Sequence, residues 1–285
     1  MASAACSGAP LGRKPKPPLA LVKLRARLYR QFDADYARPV PGEGYGGWHT
    51  VDAELAPAHT ALVVMHAWDC GEPAEFPGWR RAVEYTPRAR QILTEVFPPL
   101  LAAVRASPLP VFHVVGGRDY YSHLPGFQRE VPRSSPAPVS PDPTYHALQQ
   151  LRHDHATPGS HNAADIAAGF ARLDFAPTAR PAEREGIAEN GDQLAALCRA
   201  RGVNHLIYVG FAINWCLLMS PGGMVDMKRH GCLCSTLAEA VTAVENRETA
   251  RDELEKQSAL WRVAIEFGLV FSLADFIPAL TKISR

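Results

Sequence analysis

HLIYVGFAINWCLL, residues 205–218, is the stretch on which the fold of this chain turns. A short apolar run ends at Gly210, and Cys216 follows six residues later. A run of this length bounded by glycine reads as a buried strand and a tight turn. Cys216 then falls near the start of a helix. The positive end of a helix dipole lowers the pKa of a thiol placed there. The segment therefore describes a strand, a turn and a candidate thiolate.

Working outward, residues 192–201 read as a helix ended by Gly202, and 203–210 as a strand. Residues 224–230 are helical up to Gly231, 232–237 form a strand, and 238–267 read largely as one long helix. A last strand at 269–273 and a helix at 274–282 follow. On the amino-terminal side, TALVVMHAW within 59–68 is a near-continuous apolar run typical of a central parallel strand. Residues 86–107 read as a helix interrupted at Pro98 and Pro99, and 109–115 as the next strand. Strands alternating with helices imply an α/β fold: a doubly wound, mainly parallel sheet with helices on both faces, a three-layer sandwich. Ligands of such sheets bind beyond the carboxyl ends of the strands. His66, Arg118, Asp119 and Cys216 all sit at or just after expected strand ends.

The domain reading has three parts. Residues 1–18 form a basic, Pro-rich disordered arm, and 19–58 an N-terminal helix and linker, with Leu21, Leu24, Leu28 and Phe32 on one stripe. Residues 59–285 form the α/β domain. Within it, about 116–162 is a long loop insertion, rich in Pro, Ser and His, of the kind that serves as a lid or binding loop. Residues 1–31 hold no acidic residue. Two readings stand: a disordered arm before an amphipathic helix, or a mitochondrial transit segment.

A net charge of +1 argues against a dedicated nucleic-acid binder. No apolar run approaches the roughly 20 residues that span a bilayer, so no membrane partner is expected. Six cysteines without CxxC spacing and without a secretory signal point to a reduced, cytoplasmic setting.

From Thr60 onward the chain resembles the isochorismatase-like cysteine hydrolase superfamily, which includes nicotinamidase and carbamoylsarcosine amidase relatives. The resemblance is carried by GDQLAALCRARGVNHLIYVGFAINWC, residues 191–216. Family members show a Gly-Thr-Asp-Leu helix start, an Arg-Gly-Val/Ile helix end, an apolar strand, and then Gly-Val-Ala-Thr-Asn-x-Cys. The resemblance implies that Cys216 is a nucleophile toward a carbonyl or imine carbon, typically of a small amide. It implies an oxyanion hole of backbone N–H groups around Ala212, Ile213 and Trp215, and a cis peptide bond at Phe211–Ala212. It also implies a small-molecule substrate, no cofactor and a homo-oligomer.

Two departures bear on the chemistry. The family's general-base aspartate is matched by His66 and its usual Gln by Trp68, with Asp69 three residues beyond His66. The family lysine is matched by Glu183, with Arg184 beside it; no lysine lies between Lys23 and Lys228. His66 is either a base for Cys216 or a histidine satisfied at a strand end. Asp69 or Glu183 is a candidate to orient it, and Arg184 to hold charge near the thiolate without moving a proton. Trp68, Tyr120, Tyr121 and Trp215 are candidate pocket walls for a flat substrate. Pro221–Gly223 reads as an insertion that breaks the helix after Cys216. His113, Asp119 and His123 do not reproduce the Asp-x-His spacing of metal-carrying relatives, so no metal is expected. Three functions follow: a divergent cysteine hydrolase, a non-catalytic binding protein of the same fold, and a thiol sensor pairing Cys216 with Cys70.

Overall fold

Residues 60–65 and 205–211 are apolar at every position or nearly so, because each strand they form is covered on both faces. The computed structural model describes residues 21–69, 71–72, 74–132 and 142–283; the basic arm at 1–18 and Cys70 lie outside the described residues. The strands are β1 (Val22–Arg30), β2 (Gly47–Leu55), β3 (Thr60–Met65), β4 (Val111–Val114), β5 (Gly186–Ala188), β6 (His205–Phe211), β7 (Leu233–Thr242) and β8 (Val270–Phe271). They form one sheet in the order β2-β1-β8-β7-β6-β3-β4-β5. From β8 to β5 every pairing is parallel; β1 joins β8 antiparallel and β2 joins β1 antiparallel.

Helices α1 (Pro77–Ala82), α2 (Thr86–Gln91), α3 (Phe97–Ala106), α4 (Pro143–His155), α5 (Ala163–Ala171), α6 (Gly191–Arg201), α7 (Met224–Arg229), α8 (Leu254–Arg262) and α9 (Leu273–Leu280) complete the layers. Alternate residues of the central strands feed two cores. Leu62, Val64, Ile207 and Val209 pack with α2, α3 and α9. Ala61, Val63, Met65, Leu206 and Tyr208 pack with α6, α7 and α8. This is the expected doubly wound α/β sandwich. Its strand order reverses between β3 and β6, and at such a switch point a crevice opens beyond the carboxyl ends.

Four local expectations are corrected. The segment expected as an N-terminal helix and linker is a β-hairpin, β1 with β2, in continuous register from Val22↔Leu55 to Arg30↔Gly47. Val22, Leu24 and Ala26 are buried while Lys23, Arg25 and Arg27 are exposed, so the period is two. Leu24 and Leu28 fit this period and a helical stripe alike, Leu21 of that stripe is exposed, and pairing with β8 settles the ambiguity. Phe32, placed on that stripe, is exposed. Second, the long helix expected at 238–267 begins as strand: β7 runs to Thr242, and α8 starts only at Leu254. Burial on both faces overrides the helical preference of this Ala-rich run. Third, the long loop carries a helix, α4, whose N-terminus is capped by Asp142 accepting from the Tyr145 N–H. Fourth, β5 has no counterpart in the sequence reading. Among the described residues no helix is long and apolar enough to cross a membrane.

The edge beside β5 is fixed by a buried charge cluster. Arg105 from α3 donates to both Glu185 oxygens at 2.7 and 3.0 Å, and His113 of β4 contacts the same carboxylate through Nε2 at 2.8 Å. Burial alone would raise the Glu185 pKa. The hydrogen bonds from His113, Arg105 and the Ala182 N–H outweigh it and hold the pKa at about 2. Burial lowers the pKa of His113, which donates to Glu185 as a neutral ring. Glu185→Gln should lower stability by about 1–3 kcal/mol at neutral pH, because the buried side chain can no longer accept all the hydrogen bonds of Arg105, His113 and the Ala182 N–H. A depressed carboxylate pKa stabilises the fold above the unfolded value. That contribution is present above about pH 4.5 and fades as pH falls toward 2. Thermal unfolding against pH should therefore show the wild-type advantage shrinking across that window.

Candidate active site at the switch point

The carboxyl ends of β3 and β6 meet at Met65 and Gly210. Gly210 has φ +122°, and a Cβ there would lie 1.9 Å from the Met65 carbonyl oxygen. Only glycine permits this approach. Gly210→Ala should cost about 3 kcal/mol or more, read as a drop in the urea midpoint.

His66 follows Met65 with φ +51°, a left-handed conformation uncommon outside glycine. Its N–H donates to the Val114 carbonyl at 3.1 Å. The turn lays its ring on Trp68, with centroids 4.6 Å apart and 16° between planes. Trp68 Nε1 donates to the Tyr120 hydroxyl at 2.8 Å. His66 Nδ1 is buried without a hydrogen-bond partner. Burial lowers the ring's pKa to about 4, so it is neutral at pH 7. An imidazolium at this position, one way to stabilise a thiolate, is therefore absent at neutral pH. In ¹H–¹³C spectra of the imidazole groups, the signal lost in His66→Ala should titrate near pH 4; a midpoint above 6 would contradict the burial argument.

Beyond β6, the Phe211–Ala212 peptide bond is cis. The chain then makes one wide helical turn, Ile213–Leu217, in which the Leu217 N–H reaches back five residues to the Ala212 carbonyl at 3.1 Å. Ala212 offers no side-chain cap to this turn. Asn214 anchors it: Nδ2 donates to the Val244 carbonyl at 2.8 Å, and Oδ1 accepts from the Val244 N–H at 2.9 Å. Cys216 is half-buried and packs against the core on the α6, α7 and α8 side, while Trp215 is exposed. After Leu218 the helix breaks at Pro221–Gly223 and restarts at α7, as the insertion suggested. Tyr208 donates from its hydroxyl to the Gly222 carbonyl, fixing the break against β6.

A cleft of about 260 Å³ opens beside His66 on the α2 face, lined also by Trp68, Asp69, Arg90, Ala176 and Phe211. Cys216, Tyr120 and Tyr121 are not among its lining residues. Asp69 turns to its own loop, where Oδ1 accepts from the Gly71 N–H at 2.9 Å. Arg90 is held by the Gly71 carbonyl and Glu72.

The structure separates Glu183 and Arg184 from this region. They lie with Pro108–Val111 at the amino end of β4, across the length of the strand from His66. Counting back from Leu194 missed β5, whose carboxyl end is followed by Glu189. The Tyr121 hydroxyl donates to Glu189 Oε2 at 2.6 Å. Sequence reasoning named neither Glu189 nor β5, the short GIA strand before it. Asn214 was legible only as part of a motif. His113 contacts Glu185, and among the described residues no three His, Cys, Asp or Glu side chains are grouped to hold a metal ion.

Neither a family model nor a curated protein matches the chain. Solved structures do. A cysteine hydrolase from Pseudomonas syringae pv. phaseolicola is 17% identical, with 80% of this chain and 94% of that one covered and a TM-score of 0.48. An isochorismatase family protein from Burkholderia thailandensis is 17% identical over 79% and 97% of the chains, with a TM-score of 0.44. A nicotinamidase from Staphylococcus aureus is 13% identical over 75% and 98%, with a TM-score of 0.37. The chain is thus similar to isochorismatase-like hydrolases, and at these identities the likeness concerns the fold.

Proposed function

We propose that the protein is a divergent cysteine hydrolase acting on a small amide or related carbonyl compound, with Cys216 as nucleophile. The observation that carries this reading is the position of Cys216, in the first turn after the central strand at the switch point, with no side chain of Ala212 occupying the turn's leading N–H groups. In this reading the Cys216 sulfur attacks the carbonyl carbon while neutral His66 takes the thiol proton. The N–H groups around Ala212 to Cys216 stabilise the oxyanion. The C–N bond breaks, the amine leaves with that proton, and water hydrolyses the thioester to the acid, freeing the thiol. The stacked His66 and Trp68 suit a flat substrate. A reduced cytoplasmic setting and a homo-oligomer belong to the same proposal.

A second reading, a binding protein without turnover, is favoured by one observation: the cleft beside His66 closes without Cys216 on its wall. Iodoacetamide labelling of each cysteine against pH, mapped by mass spectrometry, separates the two. The hydrolase reading expects Cys216 to label faster than the other described cysteines, and ammonia release from small amides to stop in Cys216→Ala and to fall in His66→Ala. Slow labelling indifferent to His66 would replace it with the binding reading. The pairing of Cys216 with Cys70 involves a residue outside the described ones.

A further inference from the structure

The cleft beside His66 has an apolar floor and a charged mouth, and the two together define a ligand. Ala89, Leu93, Ala176 and Phe211 make the floor, and each is buried in the core on the α2, α3 and α9 side. The cleft is therefore an inlet of that core rather than a groove on the surface. Two of the four floor residues are alanines, whose short side chains leave the space open. Its 260 Å³ admits a single ring with a short chain. Trp68 forms part of the wall, with His66 stacked on it. His66 adds no charge at neutral pH, because burial lowers its pKa to about 4. Apolar walls with few polar groups bury a flat ring well, and the polar groups set which ring is chosen.

The charges at the mouth do not balance. Among the described residues, the charged side chains lining the cleft are Asp69, Glu72 and Arg90. Arg90 is already engaged: its guanidinium donates to Glu72 Oε1 at 2.9 Å and to the Gly71 carbonyl at 3.0 Å. Asp69 is exposed and has no cation beside it among the described residues. The Gly71 N–H donates to its Oδ1 at 2.9 Å, which fixes the carboxylate in place and leaves Oδ2 open. The hydroxyls of Thr86 and Thr94, also on the walls, donate back to the Val83 and Arg90 carbonyls. A fixed, unpaired carboxylate at the mouth of an apolar inlet attracts a cation and rejects an anion.

We propose that this cleft binds an arylalkylamine, its aromatic ring seated on the floor against Phe211 and Trp68 and its ammonium group on Asp69 Oδ2. An alcohol of the same shape keeps the burial of the ring and loses the ion pair. A carboxylate of the same shape meets Asp69 and Glu72 and is repelled. Cys216 is not on the wall, so the inference goes beyond the hydrolase reading and holds whether or not Cys216 turns over a substrate.

The test is titration of the full chain with phenylethylamine, phenylethanol and phenylpropionate. Binding is followed by the Trp68 indole N–H resonance, assigned by its loss in Trp68→Phe. The expected result is a saturable shift with the amine bound most tightly and the carboxylate least. Asp69→Asn keeps an oxygen to accept from the Gly71 N–H but removes the charge. It should weaken the amine by about fivefold and leave the alcohol unchanged. Added salt should weaken the amine alone. Ala89→Leu, which fills the floor, should abolish binding of both; should that variant misfold, the exposed Asp69→Asn carries the test. Equal affinity for the three probes, preference for the carboxylate, an amine affinity unchanged in Asp69→Asn, or no saturable shift with any probe would overturn the proposal. Binding is read without turnover, so the result stands apart from the labelling and ammonia-release tests of Cys216.

Discussion

The approach of Gly210 to the Met65 carbonyl is the contact on which the site depends. It seats β6 against β3 at the point where the strand order reverses, and so sets the width of the crevice above. His66 leaves β3 one residue beyond this contact, and the Phe211–Ala212 peptide leaves β6 one residue beyond it. A side chain at position 210 would push the strands apart where their ends must be closest. The left-handed turn at His66 then aims the ring across the top of the pair, and Trp68 closes over it. The Cys216 turn has a separate anchor, the two-way hydrogen bonding of Asn214 with Val244, which ties it to the chain leaving β7.

The fold was legible because its central strands leave little alternative. Residues 60–65 and 205–211 carry almost no polar residue, and a run buried on both faces belongs to a covered parallel sheet. Gly202 and Gly231 mark helix ends that sequence alone can find, since both adopt positive φ. What sequence missed has physical causes. Leu24 and Leu28 fit a period of two and a period near 3.6 together, while Leu21 fits only the second, and the presence of β8 as a partner chooses between them. Ala238–Thr242 carries helix-forming residues, but its environment is a sheet interior. The three residues of β5 are too few to show any period, and the count back from Leu194 ran past them to Glu183, at the opposite end of the sheet from Glu189. A count along the sequence cannot see that the chain has crossed the sheet in between.

Burial acts alike on His66 and His113, but their surroundings differ. His113 and His66 each hold a neutral ring, and each has an Nδ1 with no hydrogen-bond partner. His113 is committed through Nε2 to Glu185, whose charge is balanced by Arg105, so its ring is fixed on both chemical and electrostatic grounds. His66 has only a stacking partner and the wall of a cleft. A neutral imidazole with no committed hydrogen bond retains the capacity to accept a proton or a ligand's donor, whereas one locked to a carboxylate does not. This difference separates a structural histidine from a candidate functional one here, although both follow apolar runs in the sequence.

The polarity of a parallel sheet decides which edge can hold the candidate site. At the carboxyl edge the chain leaves β6 and turns at once, so Cys216 sits just beyond the strand ends, where ligands of such sheets bind. At the amino edge helices end and strands begin, and Glu183 and Arg184 lie there with Pro108–Val111, the length of β4 away from His66. Strand β6 connects the two edges: its first residue pairs with Leu233, and its last enters the turn that holds Cys216.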